Sequence, residues 1–419
     1  MKKLLQFVFL LLLLMMMTQV GWGATYTAAS CSSAAMNAAI SSASNGDTVL
    51  VPPGTCTWSS TVSTSKAISI FGCASPDYPG GCSGTTTITN SADPAFLISN
   101  TAANFFRISG FTINSSDSTN EVISITGPAT KFRVDHIAFK AGDCVVCTNT
   151  LQHNGSGIVA GVVDHNTITD TGRGYFAQDI RTTDPTSHEG LQAWSEYLAN
   201  PSSYAGMNGG DKMVYWEDNT YHWDRYPSGA QGSLYGQYGG KVVFRHNHVY
   251  DWSYFVDAHG DNPDDGTIFY EIYSNDYHES DTYLAQGAAF YLRGGQHIVH
   301  DESLTLTGDT GSPISLTVYS SADSTAHRIN NTFIWNNMVN GVAQNNTPVC
   351  TQPCSGNNVV SIAPDTQGTL KQDVNFFLRA PSTGDVFAGY TPYTYPHPLT
   401  QNGAGGAPNP PSGLSASVQ

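Results

Sequence analysis

The chain has 419 residues, only 12% of them charged, and its 33 acidic side chains outnumber 17 basic ones for a net charge of −16. That balance argues against nucleic acid and anionic membrane surfaces as partners. Glycine, serine, threonine and asparagine are abundant and Lys/Glu-rich helical stretches are missing, so the composition favours an all-β, turn-rich chain over a helical bundle.

Residues 1–23 open with Lys2 and Lys3, continue through a Leu/Met/Phe run and end among small residues at Gly21 and Gly23. These are the charged, apolar and cleavage-site parts of a secretory signal peptide. The apolar run is shorter than a membrane span and no later run is long enough, so we expect a secreted protein without membrane insertion. Eight cysteines in an exported chain read first as disulfides. Cys73/Cys82, Cys144/Cys147 and Cys350/Cys354 lie close in sequence, which leaves Cys31 and Cys56, although many pairings are formally open. Cys144-Val-Val-Cys147 lacks the second half-site that a zinc centre needs.

After the leader, Ser32 or Ser33 can cap a short helix that puts Met36, Ala39, Ile40 and Ala43 on one face. Asn45-Gly46 ends it, and a strand follows over 48–51. From there a repeat takes over. Similar segments place Gly110, Ile137, Asn166, Asn219, Asn247, Asn275 and Asn331 at one position, with intervals of 27, 29, 53, 28, 28 and 56. The 56 divides into two coils if Ser303 takes the missing rung, and the 53 is expected to hold one degenerate coil with an insertion over 182–210. A fixed period of about 28 marks stacked supersecondary units. Each unit consists of short alternating runs split by Gly, Asn, Asp and Ser, with no helix between strands. The expected fold is all-β: a single-stranded right-handed parallel β-helix over 24–400, with the N-terminal helix capping its open end.

The opening "CSSAAMNAAISSASNGDTVLVPPGTCTW" resembles that of secreted pectate-lyase-like β-helix proteins, in which a capping helix leads into a "GDTV-x-VPPG" strand and turn. The coil repeats extend the resemblance to about Gly341. It implies the fold directly, whereas activity varies across such proteins and includes lyases, hydrolases, epimerases and adhesins.

Titratable groups gather in "SYFVDAHGDNPDDG", Ser253 to Gly266, which follows the Asn247 rung in the same coil. Tyr254, Asp257 and His259 stand in the order Y-x-x-D-x-H. This resembles the Y-G-F-D-P-H segment of mannuronan C5-epimerases, with Phe255-Val256 and Ala258 replacing Gly-Phe and Pro. The resemblance implies that Tyr254 and His259 form the acid/base pair at C5 and that Asp257 stabilises charge. The family's lysine one coil away has no good counterpart, so neutralising the substrate carboxylate falls to Arg225 or Arg293. Histidine suits proton abstraction next to a carboxylate because it titrates near ambient pH. Asp261, Asp264 and Asp265 have the composition of a Ca²⁺ loop without its full spacing, and could also be a solvated turn. The aromatic group of Trp216, Tyr221, Trp223, Tyr226, Tyr235 and Tyr238 can stack sugars or pack in the core, and His222 lies among it. At most one of His246 and His248, which flank the Asn247 rung, is expected to face outward. Residues 401–419 form a Gly/Pro/Ser-rich tail that looks like a linker or the first strand of a fibronectin type III module.

The expected function is action of a monomer on a uronate-containing polysaccharide by β-elimination or C5 proton exchange, using Tyr254, Asp257, His259, Arg293 and Arg225. Trp223, Tyr226, Tyr235 and His222 would contact substrate. Ca²⁺, held by Asp261, Asp264 and Asp265, is the only cofactor considered. Two alternatives share the scaffold: a glycoside hydrolase pairing Asp257 with Asp261 or Asp224, and a non-catalytic glycan-binding or adhesin coil.

Overall fold

The computed structural model describes residues 23–99, 101, 104–115, 121–140, 144–149, 159–170, 178–181, 213–223, 234–237, 240–251, 255–258, 267–279, 289–306, 314–316, 329–343, 349–351, 360–362 and 370–401. The described strands form three sheets of twelve, eleven and eleven members, here called A, B and C, and along most of each sheet hydrogen-bonded neighbours are separated by a full circuit of the chain. One circuit runs Lys241–Arg245 in sheet A, His248–Tyr250 in sheet B and Val256–Ala258 in sheet C. Phe269–Tyr273 then returns to sheet A, parallel to Lys241–Arg245. Pairing among the described strands is parallel apart from the small hairpin of Met338–Val339 with Val342–Ala343. The arrangement is consistent with a parallel β-helix.

Alternation explains why these short segments are strands. Along sheet B the inward positions Ile88, Ile113, Phe139, Ile168, Tyr221 and Val249 are buried in one continuous core. The residues on either side of each point out, as a half-buried strand requires.

From Gly110 onward the bend from sheet A to sheet B is made by one residue with positive φ: Gly110, His136, His165, Asp218, His246, Ser274, Asp301 and Asn336. Glycine takes that conformation freely, and short polar side chains tolerate it better than bulky ones. The next residue carries the ladder. Asn166 Oδ1 accepts from Ile137 N–H at 2.9 Å, Asn219 Oδ1 from Asn166 N–H at 3.0 Å, and Asn247 and Asn275 repeat the bond at 3.0 and 2.9 Å. Buried amides at a corner are thereby satisfied from circuit to circuit.

This corner corrects the repeat in three places. Gly110 aligns with His136 and not with Ile137, because Ala138 pairs with Thr112. The 53-residue interval is a single circuit, since Thr167 pairs directly with Thr220. After Asn275 the ladder passes through Glu302 and Asn337, not Ser303 and Asn331: Glu302 Oε1 accepts from Asn275 Nδ2 at 2.9 Å, and Asn337 Oδ1 from Glu302 N–H at 3.0 Å.

The helix Ser33–Ser42 starts on Ser32, whose Oγ accepts from Ala35 N–H, and buries Met36, Ala39 and Ile40. It lies against the strands Thr25–Thr27, Thr48–Leu50 and Val62–Thr64. Disulfides join Cys31 to Cys56, Cys73 to Cys82 and Cys144 to Cys147, and Cys354 lies outside the described residues. Among the described residues no helix is long and apolar enough to cross a membrane.

The outer face of sheet A is covered by the C-terminal segment 370–401. Phe387, Tyr390, Tyr393 and Leu399 pack on a second apolar cluster that includes Val162, Tyr215, Val243 and Phe333. Polar contacts fix the path of this segment. Arg245 donates to the carbonyls of Tyr393 and Thr394 at 2.8 and 2.9 Å, Glu217 accepts from His397 N–H at 2.7 Å, and Arg133 donates to Thr400 O at 2.8 Å.

Candidate functional site

Val256 and Ala258 point into the core, so the pleat sends Asp257 between them to the outer face of sheet C. In register with it stand Tyr235 on one side and Tyr291 on the other. Arg293 follows the strand Phe290–Leu292, fixed by its own N–H donating to Ala258 O at 2.9 Å. From there its guanidinium grips both carboxylate oxygens of Asp257, Nε to Oδ1 at 2.8 Å and Nη2 to Oδ2 at 2.6 Å. The pair is buried, Asp257 being 2% and Arg293 6% exposed. The guanidinium carbon lies 5.2 Å from the Tyr291 ring centre, within cation–π range. Such a two-pronged, ring-backed pair holds a guanidinium in one orientation.

Of the expected site residues, the structure thus brings Asp257 and Arg293 together. Tyr235 is their neighbour by backbone register. Tyr254, His259, Arg225, Tyr226, Asp261, Asp264 and Asp265 lie outside the described residues. The Ca²⁺ ligands therefore cannot be placed, and among the described residues no cluster of three or more His, Cys, Asp or Glu is arranged to hold a metal.

His222 and Trp223 belong elsewhere, to the sheet B strand Thr220–Trp223. His222 stacks on Tyr250 with ring centres 4.7 Å apart and planes 8° apart. Tyr250 stacks on His278 at 5.4 Å and 12°. These separations are close to the strand spacing, so the rings lie like coins along the stack. Both faces of Tyr250 are covered, and the group presents ring edges to solvent. Of these three rings only His222 was among the residues expected to contact sugar, and one of its faces is taken by Tyr250. Asp276 sits beside them, 2.7 Å from His278 Nε2 and 3.6 Å from His248 Nδ1. Tyr250, His278 and Asp276 were missed from sequence, although His222, Tyr250 and His278 recur at intervals of 28.

Trp216 and Tyr221 are fully buried in the core, which settles them as packing residues. His246 occupies the positive-φ corner and stacks on Tyr395 at 3.7 Å, while His248 faces outward from sheet B, its side chain 54% exposed.

Other charged groups are buried on the outer side of sheet A, with Glu217, Arg245 and Glu271 bonded to the C-terminal segment. Arg107 holds Asp135 through two bonds of 2.6 Å. Burial alone would raise the Asp135 pKa, but hydrogen bonds from His136 and Arg107 with the charge of Arg133 draw it down to about 2. Burial pushes Glu217 up despite Arg245, and lifts Glu271 to about 7 despite the 2.5 Å bond from Tyr390 Oη. These groups are covered, whereas an acid or base acting on a polymer must reach it. The chain matches no protein-family model and no curated protein sequence.

Proposed function

We propose that the protein is an exported, carbohydrate-active member of the right-handed parallel β-helix class. On this reading its N-terminal helix caps the coil, and the outer face of sheet C acts on a uronate-containing polysaccharide. The observation that carries the reading is the buried, two-pronged Asp257–Arg293 pair backed by Tyr291, with Asp257 between Tyr254 and His259 in sequence.

Arg293 would neutralise the uronate carboxylate, which lowers the cost of removing the adjacent C5 proton. Asp257 keeps the guanidinium in place and is a positioning residue. His259 or Tyr254 takes the C5 proton as base. In β-elimination the released electron pair forms the C4–C5 double bond, the C4–O4 bond breaks, and the other residue protonates O4. In epimerisation that residue returns a proton to C5 from the opposite side. A hydrolase role is less well supported, because both Asp257 oxygens are engaged by Arg293 and a glycosidase needs its carboxylate against the sugar.

The test incubates the purified protein with polygalacturonate, alginate and ulvan, following ultraviolet absorbance of unsaturated products and uronate stereochemistry by NMR. One of these polymers should respond, and Arg293→Lys should lower kcat/KM at least about 100-fold, since an ammonium cannot reproduce the fork. No unsaturation and no stereochemical change with any of them would overturn the reading.

A further inference from the structure

The outer face of sheet B lies apart from the Asp257–Arg293 pair and carries a pattern of its own. Two outward columns run along the stack, two residues apart on each strand. Threonine fills both positions on three circuits, Thr55/Thr57, Thr87/Thr89 and Thr167/Thr169, aligned through the pairings of sheet B. Their hydroxyls each donate and accept hydrogen bonds. Lys140 is exposed in the same column as Thr169. Past Thr169 that column continues through the His222, Tyr250 and His278 edges.

The strip lacks the acidic excess of the molecule. Among its described outward positions one lysine, Lys140, balances one carboxylate, Asp276, and His222, His248 and His278 add ring N–H donors, whereas the chain as a whole has 33 acidic against 17 basic residues. Neighbouring circuits are roughly 4.8 Å apart. That advance is of the order of one sugar ring in an extended polysaccharide, so each circuit can address one ring of a chain laid along the coil axis.

We propose that this strip is a second binding surface, which holds an extended, carboxylate-bearing polysaccharide parallel to the coil axis. The ligand class follows from the reading given above, but the surface does not use the sheet C residues. Lys140 and the imidazole edges meet carboxylates, while the threonine ranks meet ring hydroxyls. Its function is to keep a long polymer on the protein independently of the reacting unit.

The test is affinity electrophoresis of the full chain through gels containing sodium polygalacturonate or sodium alginate, at low and high salt. The wild type should be retarded by at least one polymer, less so at high salt. Lys140→Glu and the combined His222→Ala/His278→Ala variant should each weaken retention about tenfold or more, and Lys140→Arg should restore it. These side chains point to solvent, and circular dichroism of each variant checks that the fold is kept. Equal retention of Lys140→Glu and wild type, or no retention of the wild type by either polymer, overturns the proposal. The two readings separate: retention without any unsaturated or epimerised product removes the sheet C chemistry and leaves this surface, and the reverse result does the opposite.

Discussion

Glu302 stands where other circuits place asparagine. Its Oε1 takes the ladder bond from Asn275, while its Oε2 has no hydrogen-bond partner among the described residues. Burial raises its pKa well above the ordinary 4.5, against the hydrogen bonds from Asn275. A carboxyl raised in the folded state keeps its proton where the unfolded chain has released it. Its stabilising contribution is therefore full below pH 4.5 and is lost as pH rises towards the folded value. Glu302→Gln removes that slope. The variant should unfold at higher denaturant than wild type at pH 8, with the gap closing at pH 4. Glu271, also raised by burial, contributes the same slope to both proteins and cancels. The sequence could not display this residue's role, because a search for asparagine passes over a glutamate one position early and settles on Ser303.

At the scale of the elements, the corner ladder is what made the period legible. Each rung asks the same side chain to accept from the amide of the circuit before it, so asparagine recurs at 166, 219, 247 and 275. Asn247 Nδ2 donates to Trp216 O and Arg245 O, both at 2.9 Å, and to Asn275 Oδ1 at 3.0 Å. Its own Oδ1 accepts from Asn219 N–H and Nδ2 at 3.0 and 3.1 Å. Asn247→Ala strands those groups in a dry interior. Chemical denaturation should report a loss of about 3 kcal/mol, whereas Thr167→Ala on the outer face of the same sheet should cost less than about 0.5 kcal/mol. The phase of the repeat was harder to read than its length. Strand pairing sets it, and Gly110 resembles the rung residue in sequence while serving as the bend before it.

At the scale of the whole molecule, the alternating apolar pattern gave the all-β class and the stacked sheets. It did not reveal that one outer face is roofed by the chain's own residues 370–401. That segment has no period, and it meets Glu217, Arg245 and Glu271 from 119 to 180 positions away. Ending the chain after Ala388 takes Tyr390, Tyr393 and His397 from this face and leaves Arg245 without two carbonyl acceptors. The shortened protein should lose more than about 3 kcal/mol by denaturation and gain fluorescence with a hydrophobic dye, since Tyr215 loses the covering rings of Tyr393 and His397. The candidate site was legible only in part. Asp257 and Arg293 are 36 residues apart, and the 28-residue period does not bring them together, because this circuit of sheet C advances 34 residues from Asp257 to Tyr291. The ring stack on sheet B does keep the 28-residue period but was hidden among ordinary strand-forming aromatics.

The bend between sheets A and B has a bearing on how such a chain can change length. Successive circuits between Asn166 and Asn275 share the same asparagine joint, so excising one 28-residue span, for instance from His246 to Tyr273, would bring Ser274 and Asn275 into the places of His246 and Asn247. The rod would shorten by roughly 5 Å with its cross-section unaltered. Size is therefore adjustable in whole steps, and the 53-residue circuit illustrates the other freedom: extra sequence can be spliced in away from the joint without disturbing the turns above and below.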